Sequence, residues 1–447
     1  MNTDTAAFTT TTSGLAATMM LEDLHGSLGH PLAESMNFLN EVAQRYPDAI
    51  SFAAGRPTEQ FFGIDAVHRY LDRFREHLLA VFDGDEVQVH REIMQYGRTK
   101  GIIHDLIARN LMVDENMKVD PESIVVTVGC QEALFLTLRV LRRTSDDVML
   151  AVTPSYVGAV GAAQLVDMPV LPVASSSEGI DFDDLVRQLD MVAATGRRVR
   201  ALYVVADFAN PSGVSLDLDA RLRLLRLAAE HDFLLLEDNP YGLFTADGEP
   251  GPPTLKALDS ERRVVYLGSF SKTALPGARV GYVVADQRVS AADGREELLA
   301  DQLGRIKSML TVNTSPLAQA VIGGKLLEHD FSLRAGNVRE QRTYRDNLLQ
   351  MLDGLRDRFP PGRYPEVTWN VPTGGFFLVL TVPFAVDDHV LEHSARAHQV
   401  LWTPMHHFYG DGVPVKQIRL SVSHVTPAEL DAGLDNLAAF LREYRDH

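Results

Sequence analysis

A succession of short apolar runs, separated by helical periods, constrains the fold of this chain more than any other feature of its sequence. Seven runs rich in β-branched residues begin near Ile124: SIVVTV, DVMLAVTP, MPVLPVA, RALYVVADF, FLLLEDN, RVVYLGSF and RVGYVVA. Amphipathic segments such as CQEALFLTLRVLRR, DFDDLVRQLDMVAATG and LDARLRLLRLAAEHD lie between several of them. Unbroken apolar strands that alternate with helices are typical of a mainly parallel sheet covered on both faces. We therefore predict an α/β fold for this part of the chain.

The pattern changes after about residue 286. Long helical stretches come first, followed by the strand-like VTWNVPTGGFFLVLTV and QIRLSVS and by a last helix, TPAELDAGLDNLAAFLREYRDH. This order indicates a second, smaller α+β lobe, and 447 residues are too many for one compact core. The predicted units are an N-terminal tail and arm (1–35), a first part of the small domain (36–75), a large domain (76–329) and a C-terminal small domain (330–447).

Charge and cysteine usage narrow the classes of partner. Lys plus Arg is 42 and Asp plus Glu is 60, a net charge of −18 that repels nucleic acid and anionic lipid. The single cysteine, Cys130, fits a reducing cytoplasm and excludes cysteine-rich zinc or iron–sulfur sites, so we expect no metal. The Thr-rich start lacks the features of a secretory signal and is expected to be a disordered tail, and no apolar run is long enough for a membrane span.

Polar or Gly/Pro-containing segments follow five of the strand-like runs. These segments are GCQEAL after IVVTV, SY after LAVTP, ANPSG after LYVVADF, DNPYG after FLLLE, and SFSK after VVYLG. In open α/β sheets, ligands bind at the carboxyl ends of the strands. Because the five ends converge on one sheet edge, the sequence predicts a site there. The common nucleotide and zinc motifs, GxGxxG, the P-loop and HExxH, are absent from the sequence.

Two groups of residues have the chemistry of a phosphate site. They are Gly129, Cys130 and Gln131 at a predicted helix start, and Ser269, Ser271 and Arg279 in the loop after RRVVYL. Free N–H groups and the dipole of a helix start bind phosphate, and hydroxyls and a guanidinium add charge-assisted bonds. Taken alone, the helix start is equally an ordinary strand-to-helix turn.

Five further residues complete the constellation. Asp238 ends an apolar strand and needs a partner, which is a cationic ring nitrogen, a backbone amide or a lysine. Asn210 and Tyr241 suit a phenolate oxygen, although Asn-Pro-Ser-Gly is also a good β-turn. Tyr156 suits stacking on an aromatic ring or plain core packing. Phosphate, pyridinium, phenolate and aromatic face together describe pyridoxal 5′-phosphate, and Lys272 is then its covalent (Schiff-base) anchor rather than an exposed loop lysine.

The motifs as a set resemble the fold-type I pyridoxal-phosphate enzymes of the class I/II aminotransferase family. The matching motifs are QYGRTKG, VGCQEAL, TPSYVG, ANPSG, EDNPYG, GSFSKTALPGARVG, PTGGFF and IRLSVS, in the family's order over roughly residues 50 to 440. The resemblance implies a large lobe with a mainly parallel seven-stranded sheet and a smaller α+β lobe. It also implies a homodimer with shared sites, in which Tyr96 reaches the partner's cofactor phosphate.

The resemblance assigns further roles. Arg419 matches the arginine that clamps the substrate α-carboxylate, and Gly55 matches a glycine that lets the substrate approach the backbone. Lys272, once released, would move the α-proton to the cofactor, while Asp238 keeps the ring nitrogen protonated, in a ping-pong transfer between an L-amino acid and a 2-oxo acid.

Some positions depart from the family pattern. Ser212 replaces the usual threonine of NPTG, and Ala206 stands where proline is frequent. TPMHHFYGDG replaces a Pro-Gly loop of the small lobe, so that Met405, His406 and His407 line an altered pocket or lie on a solvated loop.

The substrate side chain stays open at this stage. Residues 27–57 resemble the hydroxyphenylglycine aminotransferases of peptide-antibiotic pathways and, less closely, the 2-aminoadipate type. Arg56 either binds a distal carboxylate, which favours aminoadipate or glutamate, or is an exposed turn residue. The alternatives from other classes are a pyridoxal-phosphate lyase or oxidase on the same fold, and an aminotransferase-like transcriptional regulator.

Overall fold

The computed structural model of the chain describes residues 18–30, 35, 38, 41–176, 179–410 and 412–445. The predicted Thr-rich tail falls almost wholly in residues 1–17, outside the described residues. The strands are β1 Ile50–Ser51, β2 Ile124–Thr127, β3 Asp147–Thr153, β4 Val170–Ser176, β5 Gly179–Ile180, β6 Arg198–Val204, β7 Leu234–Asp238, β8 Val264–Ser269, β9 Gly281–Val284, β10 Arg288–Ser290, β11 Glu296–Leu298, β12 Thr368–Trp369, β13 Phe377–Val386, β14 Val400–Leu401, β15 Thr403–Pro404 and β16 Val415–Ser421.

The α-helices are α1 Ile64–Val81, α2 Glu86–Met94, α3 His104–Glu115, α4 Gly129–Leu141, α5 Val157–Leu165, α6 Phe182–Ala194, α7 Leu218–Glu230, α8 Leu255–Leu258, α9 Leu299–Leu310, α10 Pro316–Glu328, α11 Leu333–Gly336, α12 Val338–Arg358, α13 Asp388–His398 and α14 Pro427–Arg445. Residues 41–45 are also helical, and a 3-10 turn at Met405–Phe408 matters below. No helix in the described part of the chain combines the length and the apolar character needed to cross a membrane.

The large sheet has the strand order β2-β9-β8-β7-β6-β3-β4-β5. Its five central strands, β8, β7, β6, β3 and β4, are parallel, whereas β9 runs antiparallel to both of its neighbours. The α/β prediction is confirmed, and the seven apolar runs are seven of the strands. The eighth strand, β5, pairs antiparallel with the end of β4. It has only two residues, too few to produce a recognisable apolar pattern in the sequence.

Helices bury both faces of this sheet, which explains why its strands are apolar throughout. In β6, Ala201 and Tyr203 face the core formed with α4, α5 and α9. The alternate residues Leu202 and Val204 face the core formed with α6 and α7. Side chains alternate between the faces of a strand, so a doubly covered strand needs apolar residues at every position.

The smaller lobe is built on the antiparallel sheet β12-β13-β16-β15, with α12, α13 and α14 packed against it. An early part of the chain joins this lobe, because β1 pairs with β14 and Phe52 lies in its core. By contrast, α1 packs against α10, and its Phe74 lies in a core beside the large sheet. The predicted boundary between residues 75 and 76 falls inside α1, and the division into domains stays a prediction.

The helical stretch from Ser332 to Phe359 is interrupted at Asn337, between α11 and α12. The Asn337 side chain is buried, and its amide donates a 2.7 Å hydrogen bond to the Leu333 carbonyl. Its Oδ1 accepts a hydrogen bond from the Lys325 ammonium at 3.3 Å. Asparagine side chains that bond to a nearby backbone group compete with the helix, which ends the first segment here.

Candidate active site

A cavity of about 590 Å³ lies at the carboxyl ends of the large-lobe strands and is closed on its other side by the smaller lobe. Most of the predicted site residues line it: Gly55, Arg56, Cys130, Gln131, Tyr156, Asn210, Asp238, Tyr241, Ser269, Ser271, Lys272, Arg279 and Arg419. Val42, Ala43 and Gln44, from the helical residues 41–45, also reach it. The carboxyl ends of the strands thus bring together residues that are far apart in the sequence, as the sequence predicts.

Lys272 points its ammonium into the cavity from the loop after β8. Its Nζ donates a 2.7 Å hydrogen bond to the carbonyl of Gly55. Burial lowers the pKa of Lys272 to about 8, and the nearby cations Arg419 and Arg279 act in the same direction, while Asp238 opposes them. The lowered pKa increases the fraction of the amine that is present at neutral pH as the free nucleophile and base.

Asp238 lies at the end of β7 on the floor of the cavity. The hydroxyl of Tyr203 donates to its Oδ2 at 2.7 Å, and the Cys130 thiol approaches its Oδ1 at 3.4 Å. Burial raises the pKa of Asp238 to about 6, against the opposing effects of both hydrogen bonds and of Lys272. Among the described residues this buried carboxylate has two neutral donors and no cation in hydrogen-bond contact, which suits a protonated ring nitrogen.

The neighbouring Glu237 points the other way, as strand alternation requires. Its two carboxylate oxygens accept hydrogen bonds from the backbone N–H groups of Leu255 and Lys256, at the start of α8. Burial raises the pKa of Glu237 to about 8. Of the two adjacent acids, only Asp238 lines the cavity, so the alternation of the strand selects which one meets the ligand.

The start of α4 and the Arg279 guanidinium form a cradle at one end of the cavity. Gly129 has a φ of +71°, and a Cβ built on it would lie 2.4 Å from Nη2 of Arg279. Nη1 of Arg279 donates to Oγ of Ser271 at 3.1 Å, and Oγ of Ser269 accepts from the Ser271 N–H. Only glycine leaves room here for the guanidinium beside the helix start, and the combined donors fit a phosphate.

Arg419 lies in β16 and is buried at the opposite side of the cavity. It donates to Oδ1 of Asn210 at 2.7 Å, and to the Ala53 carbonyl and the Thr403 hydroxyl at 2.7 and 3.1 Å. Its guanidinium carbon is 4.3 Å from the centroid of the Phe377 ring and 5.0 Å from that of Phe408. Burial lowers the pKa of Arg419 to about 10, which leaves it charged at neutral pH.

The Nε atom of Arg419 is buried without a hydrogen-bond partner among the described residues. A buried cationic donor left unpaired is costly, and a carboxylate bound at the guanidinium would remove that cost. The orientation of the arginine, fixed by three acceptors and two rings, is therefore that of a preformed anion site.

Tyr241 and Tyr156 supply the aromatic part of the lining. The Tyr241 ring packs edge-on against Phe376 and Phe377, with centroids 5.3 and 5.6 Å apart. Burial raises the pKa of Tyr241 and of Tyr156, so both hydroxyls are neutral donors at physiological pH. Asn210 and Tyr241 lie on the same side of the cavity and interact with each other.

Three predicted residues have surroundings that the sequence does not reveal. Tyr96 is 84% exposed and does not line the cavity. Arg56 reaches the cavity but contacts Nε2 of His424 at 3.1 Å and the Glu59 carboxylate at 3.7 Å. At Gly55 a Cβ would lie 2.7 Å from the Phe377 ring, so internal packing alone already requires glycine there.

Of the two predicted surroundings of the Met405–His407 segment, the solvated loop is wrong, and the altered pocket stays a prediction, since His407 lines a separate cavity of about 480 Å³. The side chains of the segment are buried, and none of the three lines the cavity at Lys272; only the next residue, Phe408, does. Tyr203, Thr403, Phe377 and Phe408 are functional neighbours that sequence reasoning missed. Tyr203 and Phe377 lie in apolar runs, where nothing in the sequence separates a site residue from a core residue.

Taken together, the donors fit pyridoxal 5′-phosphate. Asp238 is a buried carboxylate lacking a cation, Gly129 leaves space for a phosphate cradle, and Lys272 offers an amine with a lowered pKa. Arg419, with its unpaired Nε, is left for a carboxylate. The cavity can therefore hold a phosphorylated aldehyde cofactor and an amino acid together.

Comparisons with known proteins agree with this chemistry. The aminotransferase class I and II family model matches residues 75–437. Over 428 residues, the chain is 55% identical to the (S)-3,5-dihydroxyphenylglycine transaminase of Amycolatopsis orientalis, covering 96% of each chain. The solved α-aminoadipate aminotransferase of Thermus thermophilus, complexed with N-(5′-phosphopyridoxyl)-L-leucine, matches with a TM-score of 0.76 and 29% identity over 95% of this chain and 98% of that one. The kynurenine aminotransferase of Pyrococcus horikoshii, in complex with PMP, matches with a TM-score of 0.76 and 27% identity over 91% and 94%.

Proposed function

The chain belongs to the aminotransferase class I and II family and is a transaminase with pyridoxal 5′-phosphate as its cofactor, and on that premise we propose that it exchanges the amino group of a ring-hydroxylated L-arylglycine with a 2-oxo acid. We also propose that it works as a homodimer in the cytoplasm and serves specialised metabolism. The observation that carries the substrate proposal is the 55% identity to (S)-3,5-dihydroxyphenylglycine transaminase along 96% of both chains. The lyase, oxidase and regulator alternatives are not retained, because the family and this relative are transaminases.

When bound, the cofactor supplies an electron-accepting ring that stabilises negative charge at the substrate α-carbon. Lys272 would anchor the cofactor through its Nζ, and as a free amine the same atom would take the α-proton of the substrate and give a proton back on the product side. The lowered pKa of about 8 suits both steps, since general bases work best when their pKa is near the working pH. The hydrogen bond from Nζ to the Gly55 carbonyl holds the amine in place between these two proton transfers.

Asp238 would hold the proton on the ring nitrogen, and its contacts with Tyr203 and Cys130 favour an ionised and oriented carboxylate. The α4 start with Gly129, Cys130 and Gln131, together with Ser269, Ser271 and Arg279, would bind the phosphate. Asn210 and Tyr241 would donate to the phenolic oxygen, and Tyr156 would cover a ring face. All these positioning contacts act before the reaction, so none has to reorganise during proton transfer.

Arg419 binds the substrate α-carboxylate through its guanidinium fork. Phe377 and Phe408 exclude water from this ion pair, which strengthens it. Fixing the carboxylate at Arg419 and the amine near Lys272 sets which face of the α-carbon meets the Nζ base.

The substrate ring would lie in the remaining part of the cavity. Apolar side chains of Val42, Leu134 and Phe408 line it, and Gln44 adds an amide that suits a ring hydroxyl. Arg56 supports the competing 2-aminoadipate or glutamate assignment, because it is the lining cation that no cofactor or α-carboxylate role uses. Its contacts with Glu59 and His424 weaken that case, since they already engage the guanidinium.

Steady-state kinetics of the native enzyme and Arg56→Gln separate the two assignments. With 3,5-dihydroxyphenylglycine, 4-hydroxyphenylglycine, phenylalanine, glutamate and 2-aminoadipate as donors, we expect kcat/KM to be highest for a hydroxylated arylglycine. For this donor, kcat/KM of the Arg56→Gln enzyme should stay within about threefold of the native value, because the hydroxylated ring has no charged group that could form a salt bridge with Arg56. A higher kcat/KM for an acidic donor, together with a loss of about 100-fold or more of that kcat/KM in Arg56→Gln, would assign the enzyme to the aminoadipate type. The matched control is Arg363→Gln, which changes an exposed arginine in the same way.

The homodimer proposal rests on the surface around Tyr96. Gly97 lies against Asn313 and Pro316, which brings Tyr96 close to a segment with exposed apolar side chains. The exposed members of that segment are Met309, Leu310, Val312 and Leu317. Contiguous exposed apolar residues mark interaction surfaces, and a self-association that covers them would carry Tyr96 towards the partner's cavity.

A further inference from the structure

A cluster of two histidines and one aspartate lies in the smaller lobe, behind the wall of the active site. His406 and His407 belong to the 3-10 turn Met405–Phe408, and Asp388 is the first residue of α13. One nitrogen from each ring and one carboxylate oxygen all lie within 4.8 Å of one another. The histidines are only 9% and 5% exposed, respectively.

The two imidazoles turn the same nitrogen towards one oxygen. Nε2 of His407 is 2.8 Å from Oδ1 of Asp388, and Nε2 of His406 is 3.7 Å from the same oxygen, too far for a hydrogen bond. The two rings are tilted by 36° with centroids 4.1 Å apart. A single carboxylate oxygen thus serves two nitrogens and satisfies only one of them.

Protein groups hold the far side of the His407 ring. Nδ1 of His407 lies 2.8 Å from Oγ of Ser35, and the Phe38 ring stacks on it with centroids 4.7 Å apart. Nδ1 of His406 is buried near the Val386 carbonyl and, among the described residues, makes no hydrogen bond of ordinary geometry. A histidine such as His407, whose Nδ1 is held by a protein group while its Nε2 converges with a carboxylate, is typical of metal sites.

From this geometry we propose that His406, His407 and Asp388 bind a divalent transition-metal ion of the zinc type. Two imidazole nitrogens and a carboxylate oxygen are the donors that zinc and its neighbours prefer, at about 2.0–2.2 Å each. The Asp388 side chain is 49% exposed, so water can complete the coordination. The proposal is independent of the amino donor and revises the expectation from sequence that the chain binds no metal.

Such an ion would tie the turn to α13. The last residue of that turn, Phe408, lines the cavity and lies 5.0 Å from the Arg419 guanidinium. The ion would therefore stiffen one wall of the substrate site without touching the cofactor.

A second cluster, His393, His398 and Glu443, offers an internal control. Its Glu443 carboxylate forms a 3.1 Å hydrogen bond with Nε2 of His393 and lies 3.1 Å from Nε2 of His398, which makes no hydrogen bond of ordinary geometry among the described residues. His393 and Glu443 are more than a third exposed, so charge pairing and solvent weaken the case for an ion at this cluster.

Zinc titration of the holoenzyme by calorimetry tests the proposal, with protein that carries no histidine tag and has been treated with a chelator. We expect one ion per protomer in the native enzyme and in His393→Ala. His407→Ala and Asp388→Asn should each weaken binding at least about tenfold. The visible cofactor band reports an intact fold, and Asp388→Asn carries the test if His407→Ala does not fold.

Cobalt gives a direct view of the ligands. A visible d–d absorption of bound Co²⁺ that disappears in Asp388→Asn would support coordination by the cluster. Absence of stoichiometric binding, binding unchanged in both variants, or binding lost in His393→Ala would overturn the proposal. None of these outcomes bears on which amino acid the enzyme uses.

Discussion

The hydroxyl of Tyr203 donates a 2.7 Å hydrogen bond to Oδ2 of Asp238 on the floor of the active-site cavity. The bond joins two neighbouring parallel strands, β6 and β7, at the edge where we propose that the cofactor ring binds. It counteracts the burial that raises the pKa of Asp238. Tyr203 therefore favours the ionised form of the carboxylate that is the proposed partner of the cofactor ring nitrogen.

Removal of this hydroxyl in Tyr203→Phe should raise the pKa of Asp238, which burial already raises to about 6 in the protein without cofactor. A hydrogen bond to a charged group contributes about 1.5–3 kcal/mol, so the acid limb of kcat/KM of the loaded enzyme should move up by about one pH unit or more. Activity would fall most at the acid end of the pH profile and recover at higher pH. The control is Tyr266→Phe, which removes a buried hydroxyl that contacts Asn239 instead. An unchanged acid limb in Tyr203→Phe would contradict the role.

Gly129→Ala should weaken cofactor binding because the added Cβ would lie 2.4 Å from Nη2 of Arg279 in a backbone conformation with φ of +71°. We expect the Kd of pyridoxal 5′-phosphate, from fluorescence titration of the cofactor-free enzyme, to rise at least about tenfold through loss of one charge-assisted contact. Gly161→Ala is the matched control, since a Cβ there meets nothing within 4 Å. Equal affinity for pyridoxal 5′-phosphate in the two variants would contradict the proposed phosphate site at Gly129 and Arg279.

Asp238→Asn should stabilise the cofactor-free enzyme while impairing the loaded one. Burial raises the pKa of Asp238 from 3.8 to about 6, so ionisation disfavours the folded state. The cost is small near pH 4, grows as the pH rises through 6 and then stays constant, at about 3 kcal/mol for this shift. Asparagine is neutral throughout, so in urea unfolding the variant should be more stable than the native protein at pH 8 and should lose that advantage as the pH falls towards 4.

If the native protein were instead more stable than Asp238→Asn at pH 8, Asp238 would already have a cationic partner in the cofactor-free enzyme. In the loaded enzyme, the variant loses the partner of the ring nitrogen, and its activity should fall by about two orders of magnitude or more. The two readouts together separate a functional carboxylate from a structural one.

The strand ends made most of this site predictable from sequence. Apolar runs identify strands, parallel strands place their carboxyl ends together, and Asp238, Asn210 and Lys272 each follow such a run. The same logic could not find Tyr203, because a tyrosine inside a strand has the same local signal whether it packs or donates a hydrogen bond. Its role depends on the register between β6 and β7, which no local pattern encodes.

The surroundings of Arg419 and of the His406–His407 pair also depend on tertiary packing. Phe377 and Phe408 enclose the guanidinium from β13 and from the turn after β15, elements that are far apart in the sequence. The histidines meet Asp388 only because the start of α13 packs close to β15 and the turn that follows it. A sequence shows the residue types of such clusters but not which of them meet.

Mixing two inactive variants tests whether the sites are shared between subunits. Tyr96→Ala and Lys272→Ala should each be nearly inactive alone, because one loses a phosphate contact given to its partner and the other the anchor. In a mixed dimer one site receives native residues from both chains, so unfolding and refolding an equimolar mixture should restore about a quarter of native activity. Refolded mixtures that stay as inactive as their components would contradict shared sites.

The most direct test of the central claim is a single half-reaction. Native enzyme, with the cofactor bound and no 2-oxo acid present, is mixed with one amino acid at a time while the cofactor spectrum is recorded; Lys272→Arg is the control, because it keeps the charge but cannot form the covalent bond. We predict conversion to the pyridoxamine form, with the corresponding 2-oxo acid released, fastest with a hydroxylated arylglycine, and no conversion in Lys272→Arg. Conversion that is fastest with 2-aminoadipate or glutamate, or that persists in Lys272→Arg, would contradict the account.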